Sequence, residues 1–145
     1  KIPDVVLRTT VIVGFPSETE EEFEALSSFI EEWEFDMLGA FIYSREEGTK
    51  ASKMKEQLTK KVKSERFNRI MEVQKAISNK RLARFLGKKT KVIVEEDGNP
   101  YMVGRMITQA PDVDGVAFIK GRPRRGEIVE CTVVKTLDYD VVVQF

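Results

Sequence analysis

The sequence predicts an α/β segment followed by an all-β domain. Three observations carry that expectation. The apolar, β-branched run Val11-Ile-Val ends at Gly14, turns at Phe15-Pro16 and meets an acid-rich helix start, the pattern of a strand feeding a helix through a tight loop. A long, basic, helical stretch from Thr59 to Leu86 separates two regions of different character. From Thr90 the period becomes alternating, with five short strands punctuated by turns, as in a small antiparallel barrel of the oligonucleotide-binding type. A chain of 145 residues holds one ordinary domain or two small ones. The expected division is residues 1–58 as the α/β region, 59–86 as a connecting helix and 87–145 as the barrel.

Each element has its own signal. Val5 to Gly14 reads as a strand buried on both sides, as in a parallel sheet. Alternation puts Val5, Leu7, Thr9, Val11 and Val13 on one face, toward helices, and Val6, Arg8, Thr10, Ile12 and Gly14 on the other. A buried Arg8 needs a partner, either an internal carboxylate or a ligand group. Thr19 with Glu22 makes a capping box, and Glu20, Glu21 and Glu22 complement the helix dipole. Those acids occupy the place an anion would take, so Gly14-Phe-Pro-Ser is not a phosphate loop. Phe23, Leu26, Phe29, Ile30 and Trp33 form the apolar helix face.

Phe35 to Ser44 follows as a second strand, with Leu38, Ala40 and Ile42 alternating against Gly39, Phe41 and Tyr43. A glycine and two aromatics on one face suit a flat ligand, or simple core. Strand, helix and strand in this order imply a right-handed βαβ unit. One such unit cannot cover its own sheet, so further strands are expected upstream. The polar segment Arg45 to Leu58 reads as loop. In the next helix Val62, Phe67, Ile70, Val73 and Ile77 form the stripe, Thr59 is the N-cap and Gly87 the terminator. The barrel strands are Thr90–Glu96, Tyr101–Thr108, Val116–Lys120, Glu127–Thr136 and Tyr139–Gln144, and Cys131 alternates with Val129 and Val133 as core.

Composition narrows the chemistry. There is no histidine, which removes the commonest general base and metal ligand. The single cysteine rules out an internal disulfide and a cysteine-held cluster on this chain alone. No run approaches membrane-spanning length, and a reducing, cytoplasmic setting fits. The opening Lys1-Ile-Pro, without methionine, points to a piece of a longer protein. Net charge is zero but strongly segregated. Ser17 to Asp36 carries eight Glu and one Asp with no base, whereas Thr59 to Lys89 carries eleven Lys or Arg against two Glu. Two solvated helix faces explain this, or an RNA or ribosome contact on the basic helix. Lys120-Gly-Arg-Pro-Arg-Arg-Gly126 is a basic turn that is either solvated or in contact with an anionic macromolecule.

At this point the motifs resemble a known family. Leu7-Arg-Thr-Thr-Val-Ile-Val-Gly-Phe-Pro-Ser-Glu-Thr-Glu-Glu-Glu-Phe23 resembles the late-barrel motif of the radical-SAM methylthiotransferases. Gly39-Ala-Phe-Ile-Tyr-Ser-Arg-Glu-Glu-Gly-Thr49 resembles their next strand, and the tail from Gly87 resembles their TRAM domain. Ala110-Pro-Asp-Val-Asp-Gly115, Leu137-Asp-Tyr-Asp140 and the Leu-Arg-Thr-Thr opening are most similar to the RimO branch, which modifies an aspartate of a small-subunit ribosomal protein. The related MiaB branch modifies a tRNA adenosine, and a non-enzymatic nucleic-acid-binding module is a third reading. The family's Cys-x-x-x-Cys-x-x-Cys is absent, and Ser17 stands where the family usually has glycine, a change that is harmless if its φ is negative.

The resemblance implies S-adenosylmethionine and two [4Fe-4S] clusters in the longer protein, with the cluster ligands outside this chain. The fragment alone is then inactive and supplies cofactor-cavity wall and substrate docking. Residues 1–58 become the end of an open radical-SAM barrel. Arg8, Thr10, Ile12 and Gly14 are the candidates for the cofactor-side wall, with Tyr43 and Ser44 from the next strand. The barrel is slightly acidic from Thr90, with seven Lys or Arg against nine Asp or Glu, which suits a basic ribosomal protein better than free RNA. Asp112, Asp114, Arg122, Arg124 and Arg125 are the docking candidates, joined by Asp138 and Asp140. No catalytic or metal-ligating residue is assigned. The expected partner is the ribosomal protein, with rRNA or tRNA contact through the TRAM region, no membrane, and a monomeric state.

Overall fold

The computed structural model describes residues 5–145, and the chain divides between Ile77 and Ser78 into two compact units. The Lys1-Ile-Pro opening and the start of the 1–58 segment lie outside the described residues. The first unit runs β1 (Arg8–Val13), α1 (Glu20–Trp33), β2 (Met37–Ile42), a short 3-10 helix (Ala51–Lys53) and most of α2 (Lys60–Ala83). β1 and β2 pair in parallel, from Arg8 opposite Met37 to Val13 opposite Ile42. The capping box forms: Thr19 Oγ1 accepts from the Glu22 N–H at 3.2 Å, and the Glu22 carboxylate accepts from the Thr19 N–H at 2.9 Å. Thr59 caps α2 in the same way, accepting from the Val62 N–H at 3.3 Å.

The core of this unit is Val13, Phe23, Ile30, Leu38, Ile70 and Ile77, with Val11, Leu26, Ala40, Phe67 and Val73 around it. Each fully buried aliphatic side chain contributes about 1.5–3 kcal/mol. All of these residues lie on one side of the two strands. β1 is therefore not buried on both sides. Arg8 is exposed rather than buried, and Ile12 and Phe41 are 56% and 61% exposed. The physical reason is that both helices pack on the odd-numbered face of β1, leaving the other face open. Alternation is blind to whether a second layer exists. The α1 stripe is also narrower than its pattern: Phe23 and Ile30 are buried, while Phe29 and Trp33 are about half exposed. Their rings, 5.9 Å apart, form a surface cluster with Phe35.

The second unit is a closed barrel in the order β3-β4-β5-β7-β6. Its strands are β3 (Lys89–Glu96), β4 (Met102–Met106), β5 (Ala117–Lys120), β6 (Ile128–Thr136) and β7 (Val141–Gln144). β3 pairs with both β4 and β6, which closes the sheet; β5 and β7 pair in parallel, so the barrel is not antiparallel throughout as expected, because β6 lies between them in the chain but β7 inserts between β5 and β6 in the sheet. Val92, Val94, Met102, Met106, Ala117, Ile119, Cys131, Val133, Val141 and Val143 fill the interior, with Leu82 beside them. Closure removes the free sheet edges that a small β domain must otherwise protect. Gly104 is required by tight packing: a Cβ there would meet the Ile93 carbonyl at 2.1 Å.

Ser17 departs from the expected negative φ. It adopts φ 70°, in the left-handed region, while its N–H donates to the Glu56 carbonyl at 2.9 Å. Left-handed backbone costs a non-glycine residue about 1–2 kcal/mol, offset by the roughly 0.5–1 kcal/mol that glycine loses in chain entropy. Ser17→Gly is therefore expected to stabilise the first unit by about 0.5–1 kcal/mol. Denaturant or thermal melting checks this, and a lowered midpoint would show that the serine side chain matters more than its φ.

Candidate functional site

The turn after β1 is held by a buried ion pair. Both Glu18 carboxylate oxygens accept from the Gly14 N–H at 3.1 Å, and the same carboxylate pairs with Arg66 of α2. Arg66 also donates to the Glu18 carbonyl at 3.0 Å and to Glu20 at 2.9 Å, and stacks over Phe23 at 5.1 Å. Its side chain is 7% exposed and that of Glu18 is 12% exposed. Burial alone would lower the Arg66 pKa, but the hydrogen bonds to Glu20 and Glu18 outweigh it and hold it above the ordinary value. Arg69 pairs with Glu24 beside this pair, at 46% exposure. The acidic and basic helices thus meet each other along a seam, an outcome different from both solvated faces and an RNA contact at these residues. The loop amide that an anion would use is already taken by Glu18.

The open face of β1 and β2 carries Arg8, Thr10 and Ile12 from one strand and Gly39 and Phe41 from the other. Thr10 lies opposite Gly39, and Ile12 opposite Phe41. Gly39 leaves a shallow gap whose nearest atoms to a Cβ would be Thr10 Oγ1 at 3.8 Å and the Phe41 ring at 3.9 Å. Gly14 does not join this face. It is buried with φ 74°, and a Cβ there would meet Lys63 Cγ of α2 at 2.5 Å. The left-handed turn rotates it off the strand's alternation, so period-two assignment fails at that residue.

Tyr43 and Ser44 follow β2 at its carboxyl end. The Tyr43 N–H donates to the Val13 carbonyl at 2.9 Å, and its ring meets Phe15 edge-on at 5.3 Å. Its buried hydroxyl has no hydrogen-bond partner among the described residues. Lys63 reaches over the ring, 4.7 Å from the centroid, and donates to the Tyr43 carbonyl at 3.1 Å. Ser44 donates to Glu46 at 2.9 Å and is exposed. Lys63 and Arg66 were not singled out from sequence. Their signal was spacing: each is interleaved at three- or four-residue intervals with the apolar stripe of α2.

In the barrel, the acidic candidates separate by role. The Asp114 carboxylate accepts from the Ala110 N–H at 2.6 Å, and that of Asp140 accepts from the Val116 N–H at 2.8 Å, so both brace loops. Asp112 is exposed, at φ 61°, beside Glu95, Glu96 and Arg125 in an open cleft. Arg122 donates to the Gly98 carbonyl at 2.8 Å, tying the basic turn to the β3–β4 loop. Arg124 and Arg125 are exposed, as is Asp138.

Residues 86–145 match the family model described as the TRAM domain. Over these residues the barrel is similar to TRAM domains. Along its length the chain is also similar to proteins named ribosomal protein uS12 methylthiotransferase RimO. The relative from Thermotoga maritima is 48% identical over 141 residues, 97% of this chain and 33% of the relative. That from Geobacter sulfurreducens is 45% identical over 146 residues, 98% of this chain and 33% of the relative. That from Herpetosiphon aurantiacus is 46% identical over 145 residues, 97% of this chain and 31% of the relative. The chain spans about a third of the length of these relatives.

Cys131 lies in the core of the barrel, where burial pushes its thiol pKa up. Among the described residues no group of three or more His, Cys, Asp or Glu is placed to hold a metal ion. No helix among them is long and apolar enough to cross a membrane.

The buried pair gives a direct expectation. Arg66→Met leaves Glu18 buried beside the Gly14 amide without its cation, at a cost of about 3–5 kcal/mol. Equilibrium unfolding should show that loss. A change under about 1 kcal/mol, the range of an exposed pair, would show that the pair is solvated.

Proposed function

We propose that this chain is part of a RimO-type radical-SAM methylthiotransferase that modifies ribosomal protein uS12 in the cytoplasm. The observation that carries the reading is sustained identity: relatives of that name match at 42–48% over 97% or more of the chain. In this reading the open face of β1 and β2 forms one wall of the cofactor cavity. That wall would hold S-adenosylmethionine, which, with a cluster held elsewhere in the longer protein, would supply the radical chemistry. Thr10 and Arg8 offer a hydroxyl and a guanidinium along that wall, and Ile12 and Phe41 offer apolar surface. Tyr43 and Ser44 stand at the carboxyl end of β2, where α/β sheets bind ligands. Gly14 acts behind the wall, giving Lys63 room to hold the strand ends. The TRAM domain docks the basic substrate protein through Asp112 and its acidic neighbours, with Arg124 and Arg125 at the edge. Asp114, Asp138 and Asp140 belong to the loops that shape this end.

Gly39→Val tests the wall. The new Cβ has ordinary clearance, and a β-branched residue suits a strand, so the fold is expected to hold. In the full-length protein, affinity for S-adenosylmethionine should fall by about tenfold, equivalent to about 1.4 kcal/mol. Unchanged affinity in a protein with unchanged melting would place the cofactor elsewhere.

Asp112→Asn tests docking, because Asp114→Asn would also disturb the loop it braces. The complex with uS12 should weaken by roughly 1 kcal/mol, with loss of salt sensitivity. Mass spectrometry of uS12 and of tRNA after reaction with the reconstituted full-length protein decides the substrate. A methylthio group on a tRNA adenosine and none on uS12 would favour the MiaB-like reading.

A further inference from the structure

Lys63 and Arg66, one turn apart on α2, both reach the carboxyl ends of the strands. Arg66 acts through Glu18 on the Gly14 amide after β1 and is met by carboxylates. Lys63 acts on the end of β2 and is met by no carboxylate among the described residues. It is buried, at 9% exposure. Its methylenes pack against Gly14, while its ammonium donates to the Tyr43 carbonyl at 3.1 Å and lies 4.7 Å from the centre of the Tyr43 ring. A carbonyl and a ring face replace only part of the water around an ammonium, which has three N–H groups to satisfy. For stability alone, an apolar side chain of the same length would serve here at least as well. The charge therefore needs another reason, and the group it touches supplies one. The Tyr43 N–H is already held by the Val13 carbonyl at 2.9 Å. With its carbonyl held by Lys63, the Tyr43 backbone is fixed on both sides. A peptide group is planar, so fixing that oxygen also fixes the direction in which Ser44 leaves the strand.

We propose that Lys63 is a positioning residue for S-adenosylmethionine: its ammonium holds the Tyr43–Ser44 peptide in the orientation that the cofactor wall requires. The inference rests on the reading of the open β1–β2 face as that wall. Lys63 comes from α2, on the helix side of the sheet, so it acts through the backbone of Tyr43 and not by touching the cofactor. A charge-assisted hydrogen bond is short and roughly twice as strong as a neutral one, which suits a contact that must hold one backbone orientation. A water in its place would satisfy the carbonyl without fixing it. The cofactor would then have to order that peptide as it binds, and part of its binding free energy would be lost to the ordering. Lys63 thus bears on affinity, whereas Arg66, with its carboxylates, bears on stability.

The same substitution at the two cations separates these roles. Arg66→Met strands the Glu18 carboxylate and lowers the melting midpoint. Lys63→Met keeps an unbranched side chain against Gly14 and removes the ammonium, so the midpoint stays at or above that of the unaltered protein. In the full-length protein with its clusters in place, equilibrium binding of S-adenosylmethionine should weaken about tenfold in Lys63→Met, as the loss of one charge-assisted hydrogen bond allows. Turnover at saturating cofactor should change by less than about twofold, because the contact bears on binding and not on the reacting groups. Lys61→Met, at an exposed lysine of the same helix, should change neither affinity nor turnover. Unchanged affinity in Lys63→Met, alongside weakened affinity in Gly39→Val, would overturn the inference and leave the wall reading standing. Unchanged affinity in both variants would overturn both. A midpoint that falls together with affinity in Lys63→Met would make Lys63 a brace of the fold and overturn its positioning role.

Discussion

The first unit depends on the pairing of Glu18 with Arg66. Glu18 sits between the Gly14 amide and the guanidinium, so one carboxylate fixes both the turn after β1 and the position of α2 over the sheet. A buried pair of this kind is favourable only when its remaining hydrogen-bonding capacity is met. Here Glu20, the Glu18 carbonyl and the face of Phe23 supply most of it, and the buried Arg66 Nε is left without a partner among the described residues. The consequence for function is directional. With its anion-binding amide already used, the loop presents no phosphate site, and the chemistry available to a ligand lies on the uncovered face of the strands.

That face owes its openness to an asymmetry in packing. Both helices bury the odd-numbered side of β1, and the apolar residues on the other side remain at the surface. Ile12 and Phe41 are more than half exposed, side by side across the strands, with Gly39 leaving a recess next to them. In the proposed reading this exposed apolar surface faces the cofactor. Lys63 secures its carboxyl end by spanning Gly14 and Tyr43, which is why a side chain at Gly14 has no room.

The barrel solves a different problem. Its small core is made cooperative by closure, and the outward residues are then free to carry chemistry. Some polar groups that look available in sequence are committed to loop geometry: Asp114 to Ala110, Asp140 to Val116 and Arg122 to Gly98. What remains for partners is a cleft where Glu96 and Asp112 lie beside the Glu95–Arg105 pair, and a lysine–aromatic groove on the far strands. Net charge, a single number, averages over both.

By itself the sequence determined the local structure. Thr19 and Glu22 define a helix start because capping is a matter of a few adjacent atoms. The alternation of β3 to β7 places Cys131, Val133 and Ile119 inside for the same local reason. The spacing of turns within the chain's last third was enough to expect a small barrel. Tertiary structure alone decided how distant segments meet. It paired the acids of α1 and its approach with Arg66 and Arg69, where charge counts suggested solvent or RNA. It left one face of β1 bare, because alternation says which residues share a side but not whether another layer covers it. It turned Gly14 away from that face and put Ser17 at a positive φ, since a turn's dihedrals are set by what the loop must reach. And it gathered Tyr101, Phe118, Lys120 and Lys135, residues from separate strands and a loop, into one groove through register, which no single segment encodes.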